Sequence, residues 1–253
     1  MNALDFKDRR VLITGGSGDI GRAMCTAFAA RGAQVALTYF SDHDGREATE
    51  KAIAEAGGAA PLCIRCNLRD KGAAAEVGQQ VLEELGPVDI FISNAASGVL
   101  RPAMELSAKH WQWTMDINAR SFLALTQVLA PKMPKGGRIM ALTSAGAGRA
   151  IENYAAVGAS KAALEATVRH LAMELGKDGI TVNALCPGVV DTKALTHFPN
   201  REQLIQIAAM RTPNGRIATP KDVADVALLL ASPLAQMIQG QTIAIDGGYS
   251  ILA

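Results

Sequence analysis

What this sequence lacks excludes several classes of function. It has no excess charge: 25 basic and 24 acidic residues leave a net +1, without a long run of either sign. There is therefore no electrostatic case for binding nucleic acid or a charged membrane surface, and a small-molecule partner is expected. No apolar run reaches transmembrane length, and Met1 to Arg10 carries charges in place of an apolar stretch, so neither a signal peptide nor an anchor is expected and the protein is predicted to be cytoplasmic. Cysteine is scarce. Of the four, Cys63 and Cys66 are near each other, but strand alternation would point them to opposite faces, where they share neither a metal nor a disulfide. No metal site is expected. Internal repeats, low-complexity tracts and Pro-, Gly- or Ser-rich linkers are also absent, and 253 residues with 49% hydrophobic positions fit one large core. Aromatic residues make up only 4% and include three tyrosines, which narrows any search for a phenolic acid.

Short β-branched runs alternate with long Ala-rich stretches of helical period, the pattern of repeated βαβ units around a buried parallel sheet. Strands are predicted near Val11–Thr14, Gln34–Thr38, Pro61–Cys66, Val88–Ser93, Arg138–Thr143, Thr181–Leu185 and Thr242–Ile245. Helices are predicted over Ile20–Arg31, Arg46–Ala56, Lys71–Leu85, Lys109–Lys132, Tyr154–Gly176 and Lys221–Leu230. The expected fold class is α/β: one doubly wound domain over residues 1–253, a seven-stranded parallel sheet with helices on both faces. Thr192 to Gly215, with Pro199 and Pro213, breaks the rhythm and is expected to form a lid over the substrate.

The first strand runs into Thr14-Gly15-Gly16-Ser17-Gly18-Asp19-Ile20-Gly21 and then a helix. Glycines placed there give a tight turn and bare backbone at a helix N-terminus, where a dinucleotide's diphosphate can rest. The candidate cofactor-binding residues of this loop are Gly15, Ser17, Gly18, Asp19, Ile20 and Gly21. The spacing resembles the Thr-Gly-x-x-x-Gly-x-Gly fingerprint of the short-chain dehydrogenase/reductase superfamily, whose fold is of the Rossmann type. Asp19 departs from it by replacing the middle glycine, and it is read as a cap on the helix start. After the second strand, Tyr39 and Ser41 mark the position that distinguishes a ribose 2′-hydroxyl from a 2′-phosphate. There is no acid at the strand's last positions, which tilts the expectation to NADP(H) over NAD(H), but there is no arginine either. The resemblance further implies adenine contact at Asn67 and Leu68. It matches Asn94-Ala95-Ala96 to the Asn-Ala-Gly element after the fourth strand, with alanine for its glycine.

Tyr154 precedes Lys161 by seven residues, about 700° of helix, so in one helix the two would share a face. Most members of the superfamily place the tyrosine four before the lysine, where this chain has Val157. Ser144, seventeen before Lys161, keeps the usual serine position. Tyr39 and Tyr249 lie too near the second and last strands to serve, which leaves Tyr154. A free phenol has a pKa of about 10. An ammonium 4 to 5 Å away would favour the phenolate by roughly 3 to 4 kcal/mol at an effective dielectric near 20, bringing the pKa down by about 2 to 3 before burial opposes it. The displaced tyrosine suggests a displaced charge. In a ketone the hydride acceptor carbon adjoins the oxygen that gains charge, whereas in an enoyl thioester the charge develops three bonds from the β-carbon. A shift of one helical turn, roughly 4.5 Å along the axis, matches that change.

The Tyr-x6-Lys spacing is that of bacterial enoyl-acyl-carrier-protein reductases, and the chain resembles their FabL type. The resemblance is closest in residues 94–102, in Glu152-Asn153-Tyr154, in Ser160-Lys161-Ala162-Ala163-Leu164-Glu165-Ala166 and in His197-Phe198-Pro199-Asn200-Arg201. It implies NADPH-dependent reduction of trans-2-enoyl chains on acyl-carrier protein, with Tyr154 stabilising the enolate and Lys161 also holding the nicotinamide ribose. It further implies nicotinamide contacts in the turn containing Pro187, Gly188, Val190 and Thr192. For Asn118 it suggests a proton-relay water, against the rival reading of a helix-interior Asn bonded to backbone. Ser144 would donate to a substrate oxygen or end its strand. Ala96, Leu195 and Phe198, with Leu204 and Ile207, would line the acyl site, although the lid residues suit core packing equally well. Arg201 and Arg211 either meet an acidic carrier or form a solvated face. The superfamily resemblance also implies a homotetramer built through the two long helices and the C-terminal segment. Two other readings stay open: a carbonyl reductase or alcohol dehydrogenase, and a non-catalytic dinucleotide-binding sensor.

Overall fold

The structure, a computed structural model, describes residues 3–197 and 201–252. Its seven strands are β1 (Arg10–Ile13), β2 (Gln34–Tyr39), β3 (Leu62–Arg65), β4 (Ile90–Ser93), β5 (Arg138–Leu142), β6 (Thr181–Pro187) and β7 (Thr242–Ile245). They form one sheet in the order β3-β2-β1-β4-β5-β6-β7, with every pair parallel. All seven expected strands are present. β4 begins two residues later than its apolar run and β6 continues two further, through Cys186 and Pro187, to pair with Ala244 and Ile245.

Eight α-helices accompany them among the described residues: α1 (Asp19–Ala29), α2 (His43–Glu55), α3 (Ala73–Glu84), α4 (Ala108–Met115), α5 (Ser121–Leu129), α6 (Ala155–Leu175), α7 (Arg201–Arg211) and α8 (Pro220–Ala231). Strand alternation sorts the core into two layers. Val11 and Ile13 of β1, Leu37 of β2 and Ile92 of β4 pack with Met24 and Phe28 of α1, Ile53 of α2 and Leu228 of α8. On the other face Leu12, Phe91 and Ile139 meet Val81 of α3, Phe122 and Leu125 of α5, and Leu164 and Val168 of α6. Every crossover thus buries its apolar stripe against one face of the sheet. Cys63 joins the first layer and Cys66 the second, and all four cysteines are free thiols.

Three expected elements need correction. The helix expected over Lys109–Lys132 is broken into α4, a π turn at Asp116–Arg120, α5 and a closing 3-10 turn. At that π turn the Asn118 side chain is bonded to other parts of the chain, and π turns of this kind recur at functional sites. The helix expected to start at Tyr154 starts at Ala155, with Tyr154 as its N-cap at φ −108°. The excursion after β6 contains a short helical turn, Lys193–His197, and then α7.

Candidate active site

Because the sheet is parallel, the loops after β1, β4, β5 and β6 emerge at one edge, and the reversal of strand order lies between β1 and β4, the crevice where doubly wound sheets bind ligands. There the two strands are fastened together. The Thr14 hydroxyl accepts from the backbone N–H of Asn94 and of Ala95 at 3.0 Å each, and the Asn94 amide donates to the Thr14 and Gly15 carbonyls at 3.0 Å. Gly15 has a φ of +65°, and a β-carbon there would lie 2.9 Å from the Ala95 backbone. Gly18 differs: a β-carbon would meet only the Gly15 carbonyl, at 3.6 Å. Packing does not require that glycine. It leaves bare backbone at the N-terminus of α1, which carries no side-chain cap, and this cradle fits a dinucleotide's diphosphate. Ser17 and Gly21 are buried beside it and Ile20 packs on the core. Gly15, Ser17, Gly18, Ile20 and Gly21 are therefore the residues that would hold it.

Asp19 does not cap α1. It is the helix's first residue; one carboxylate oxygen pairs with Arg22 and the other accepts the backbone N–H of Lys193 at 2.7 Å. Its carboxylate thereby ties the glycine loop to the segment after β6. At the adenosine end Tyr39 is half-buried, edge-on to His43 with centroids 5.5 Å apart and 5.8 Å from the Arg46 guanidinium. Ser41 is exposed, and Asp42 is used as the N-cap of α2, accepting from Gly45 at 3.1 Å. Asn67 shapes a turn, bonded to Arg69 N–H and the Asp70 carboxylate, while the Leu68 side chain is buried in the core.

Tyr154, Ser144 and Lys161 converge at the end of β5. The Tyr154 hydroxyl donates to Ser144 Oγ at 3.3 Å, and that oxygen also accepts from Gly146 N–H at 3.2 Å. Lys161, 4% exposed on α6, donates from Nζ to the Leu142 carbonyl at 2.6 Å. Burial pulls its ammonium down to about 8. The expectation that Lys161 lowers the Tyr154 phenol is not met. Burial raises Tyr154 above the usual phenol value, with the Ser144 bond pulling back and the nearby Cys186 thiol pushing further up. Val157, one turn on, is buried.

The Asn118 side chain is bonded to protein. Its carbonyl oxygen accepts Ser97 N–H at 2.9 Å, and its amide donates to the Ser97 carbonyl and to Ser160 Oγ, both at 2.9 Å. It bonds backbone, as the rival reading had it, though in the loop after β4 and not in its own helix. Ala96 of that loop is exposed. On the far side Pro187 closes β6, Gly188 abuts Asp246, and Val190 is buried in a bridge to Ala218. Thr192 begins the excursion after β6 and Leu195 is half-buried within it, while Phe198 lies outside the described residues. Leu204 and Ile207 are exposed on α7 and do not join the core. Arg201 pairs with Asp191 and Arg211 sits 5.5 Å from the Tyr249 ring, so both cations are engaged within the chain.

Two glycines beside the tyrosine were not singled out from the sequence, although for Gly158 its place inside the expected helix was a signal: Gly146 and Gly158 line, with Ile151 and Tyr154, a cavity of about 330 Å3. A larger hollow of about 600 Å3, bounded by Arg216, Asp222, Ile245 and Asp246, lies along β7 and contains none of the candidate residues. Among the described residues no acidic, His or Cys cluster suits a metal ion, and no helix is long and apolar enough to cross a membrane.

Comparison with known proteins agrees with this geometry. Residues 16–250 match the family model described as Enoyl-(Acyl carrier protein) reductase. The chain is 35% identical over 250 residues to 1-cyclohexenylcarbonyl-CoA reductase of Streptomyces collinus, covering 97% of this chain and 89% of that one. It is 32% identical over 239 residues to 7alpha-hydroxysteroid dehydrogenase of Escherichia coli K12, covering 94% and 92%. Solved structures superpose closely. A short-chain dehydrogenase/reductase from Serratia marcescens has a TM-score of 0.89 at 32% identity, covering 97% of this chain and 99% of that one. An NADP-bound protein from Beutenbergia cavernae has the same score and identity over 99% and 100%.

Proposed function

The chain belongs to the short-chain dehydrogenase/reductase superfamily, an oxidoreductase family built on a nicotinamide dinucleotide, and from that premise we propose that it is an NADPH-dependent enoyl-thioester reductase acting on chains carried by acyl-carrier protein. The observation that carries this reading is the position of Tyr154: outside α6, hydroxyl on Ser144, with buried Val157 filling the helix one turn on. The match to an enoyl-acyl-carrier-protein reductase model and the likeness to a reductase of a cyclohexenylcarbonyl thioester support it.

When bound, the nicotinamide supplies hydride to the β-carbon of the conjugated double bond. This chain's part is electrostatic and geometric. The half-buried Tyr154 hydroxyl, raised above its ordinary pKa by its burial, keeps its proton at neutral pH and donates a hydrogen bond to the thioester oxygen as negative charge gathers there, and the α-carbon then takes a proton from water to complete the reduction. Ser144 orients that hydroxyl. Lys161, anchored on the Leu142 carbonyl, offers its remaining N–H donors to the nicotinamide ribose. Gly15 to Gly21 receive the diphosphate, and the absence of an acid at Tyr39 or Ser41 favours NADPH. The lid from Thr192, fastened to Asp19 through Lys193, covers the acyl chain. Exposed Trp111, Leu123 and Met173 on the outer helices suit burial in a homotetramer.

One observation favours a second reading. The direct Tyr154 to Ser144 hydrogen bond equally suits a ketone oxygen held by both hydroxyls, the chemistry of a carbonyl reductase or alcohol dehydrogenase. NADPH oxidation with crotonyl thioester, beside acetoacetyl thioester, separates them: the proposal expects turnover of the first and little of the second.

A further inference from the structure

The Tyr154 ring lies against glycine. A β-carbon built on Gly146 would stand 2.6 Å from both Cδ1 and Cε1 of the ring, and one on Gly158 would stand 2.6 Å from the Gly146 carbonyl and 3.7 Å from Cδ1. Neither residue needs glycine for its backbone. Gly146 is in a 3-10 turn and Gly158 is inside α6, and neither has a positive φ. Glycine within a helix is the less stable choice, so what these two positions gain is space. Gly146 also donates its N–H to Ser144 Oγ, the acceptor of the Tyr154 hydroxyl.

We propose that Gly146 and Gly158 are positioning residues for Tyr154: together they form a floor bare of side chains that receives the phenol ring in its displaced place and so fixes where the hydroxyl meets substrate. The floor is built in layers. Gly158 lets the Gly146 backbone approach α6, and Gly146, so seated, carries the ring. The ring is delivered from above by Asn153, whose φ of +58° turns the chain and whose carbonyl accepts Arg101 N–H at 2.9 Å. A methyl group at Gly146 would meet the ring at 2.6 Å and Ile151 Cδ1 at 3.3 Å. The ring must move by most of an ångström, and its hydroxyl leaves Ser144.

For its catalytic consequence the proposal rests on the reading of Tyr154 as the hydrogen-bond donor of an enoyl-thioester reductase, and the test keeps the two apart. Wild type, Gly146→Ala, Tyr154→Ala and the double variant are compared for melting temperature, NADPH affinity by fluorescence, and kcat and KM on crotonyl and acetoacetyl thioesters. Gly146→Ala is expected to lower kcat about 100-fold, the scale of a misplacement near 1 Å, with NADPH affinity unchanged. It should lower the melting temperature in the wild-type background and leave it unchanged or higher beside Tyr154→Ala, where the ring it strikes is gone. Gly158→Ala should also lower kcat, by shifting the Gly146 backbone whose carbonyl its β-carbon would meet at 2.6 Å. An equal loss of melting temperature in both backgrounds, or wild-type kcat in Gly146→Ala, overturns the floor. Wild type active on acetoacetyl thioester alone overturns the enoyl reading and leaves the melting-temperature cycle to decide the floor.

Discussion

Tyr154 stands one position outside α6 and its hydroxyl donates to Ser144 Oγ across 3.3 Å, joining the start of a helix to the end of strand β5. If that pair acts on developing charge, its members are unequal. Tyr154→Phe removes the donor itself and should lower kcat by about 100- to 1,000-fold, the usual cost of one preorganised donor. Ser144→Ala removes only its orientation and should cost about tenfold, a smaller loss for a group acting through another. Steady-state kinetics on both variants checks the order; an equal loss would place Ser144 directly on substrate.

Lys161 makes activity and stability respond to alkali in opposite senses. Its ammonium is held down to about 8 by burial, whereas in the unfolded chain it titrates near 10.4. Between those values the unfolded state holds more protons than the native state, so stability rises with pH across that window. If that cation orients the ribose, it is lost over the same window and NADPH affinity should fall as pH passes about 8. Melting temperatures and NADPH binding at pH 7 and 9 show whether the two diverge. Lys161→Met should melt higher than wild type at pH 7, having no buried ammonium, yet bind NADPH poorly.

Asp19 sets a carboxylate beside the glycine loop and ties that loop to the segment after β6 through Lys193 N–H. Asp19→Asn keeps an acceptor for that N–H and removes the charge. NADPH should then bind about two- to fivefold tighter, the worth of a charge at a helix end. Asp19→Ala removes the acceptor as well, and the KM for acyl thioester should rise. Titrations of NADPH fluorescence beside substrate kinetics distinguish the two effects.

The α8 N-terminus offers a test of stability away from the site. Thr219 and Asp222 form a reciprocal capping box, and the Arg216 hydrogen bond holds the Asp222 carboxyl well below the usual carboxylate range. Thr219→Ala should cost about 1 kcal/mol in urea denaturation without altering kcat.

Much of this architecture was legible because strand and helix periods are local. The Val11–Ile13 run, the glycine loop and the Lys161 helix each announce themselves within a dozen residues, and the alternation of elements gave the parallel sheet. Errors arose where a side chain's partner is remote in sequence. Asp19 read as a cap because its true partner, Lys193 N–H, is 174 residues away. Asn118 left two readings open because Ser97 and Ser160 come from a loop and a helix that the chain brings together only on folding. The Tyr154 spacing was visible, but the position of α6's first turn was not: the αL turn at Asn153 decides where the helix begins.

The central claim is that the displaced phenol serves a conjugated carbon–carbon double bond. Its most direct test is the initial rate of NADPH oxidation with crotonyl thioester and with acetoacetyl thioester, for wild type and Tyr154→Phe. Rapid turnover of the crotonyl substrate alone, lost in Tyr154→Phe, is the predicted result. Turnover of the acetoacetyl substrate alone would contradict it and assign Tyr154 and Ser144 to a ketone.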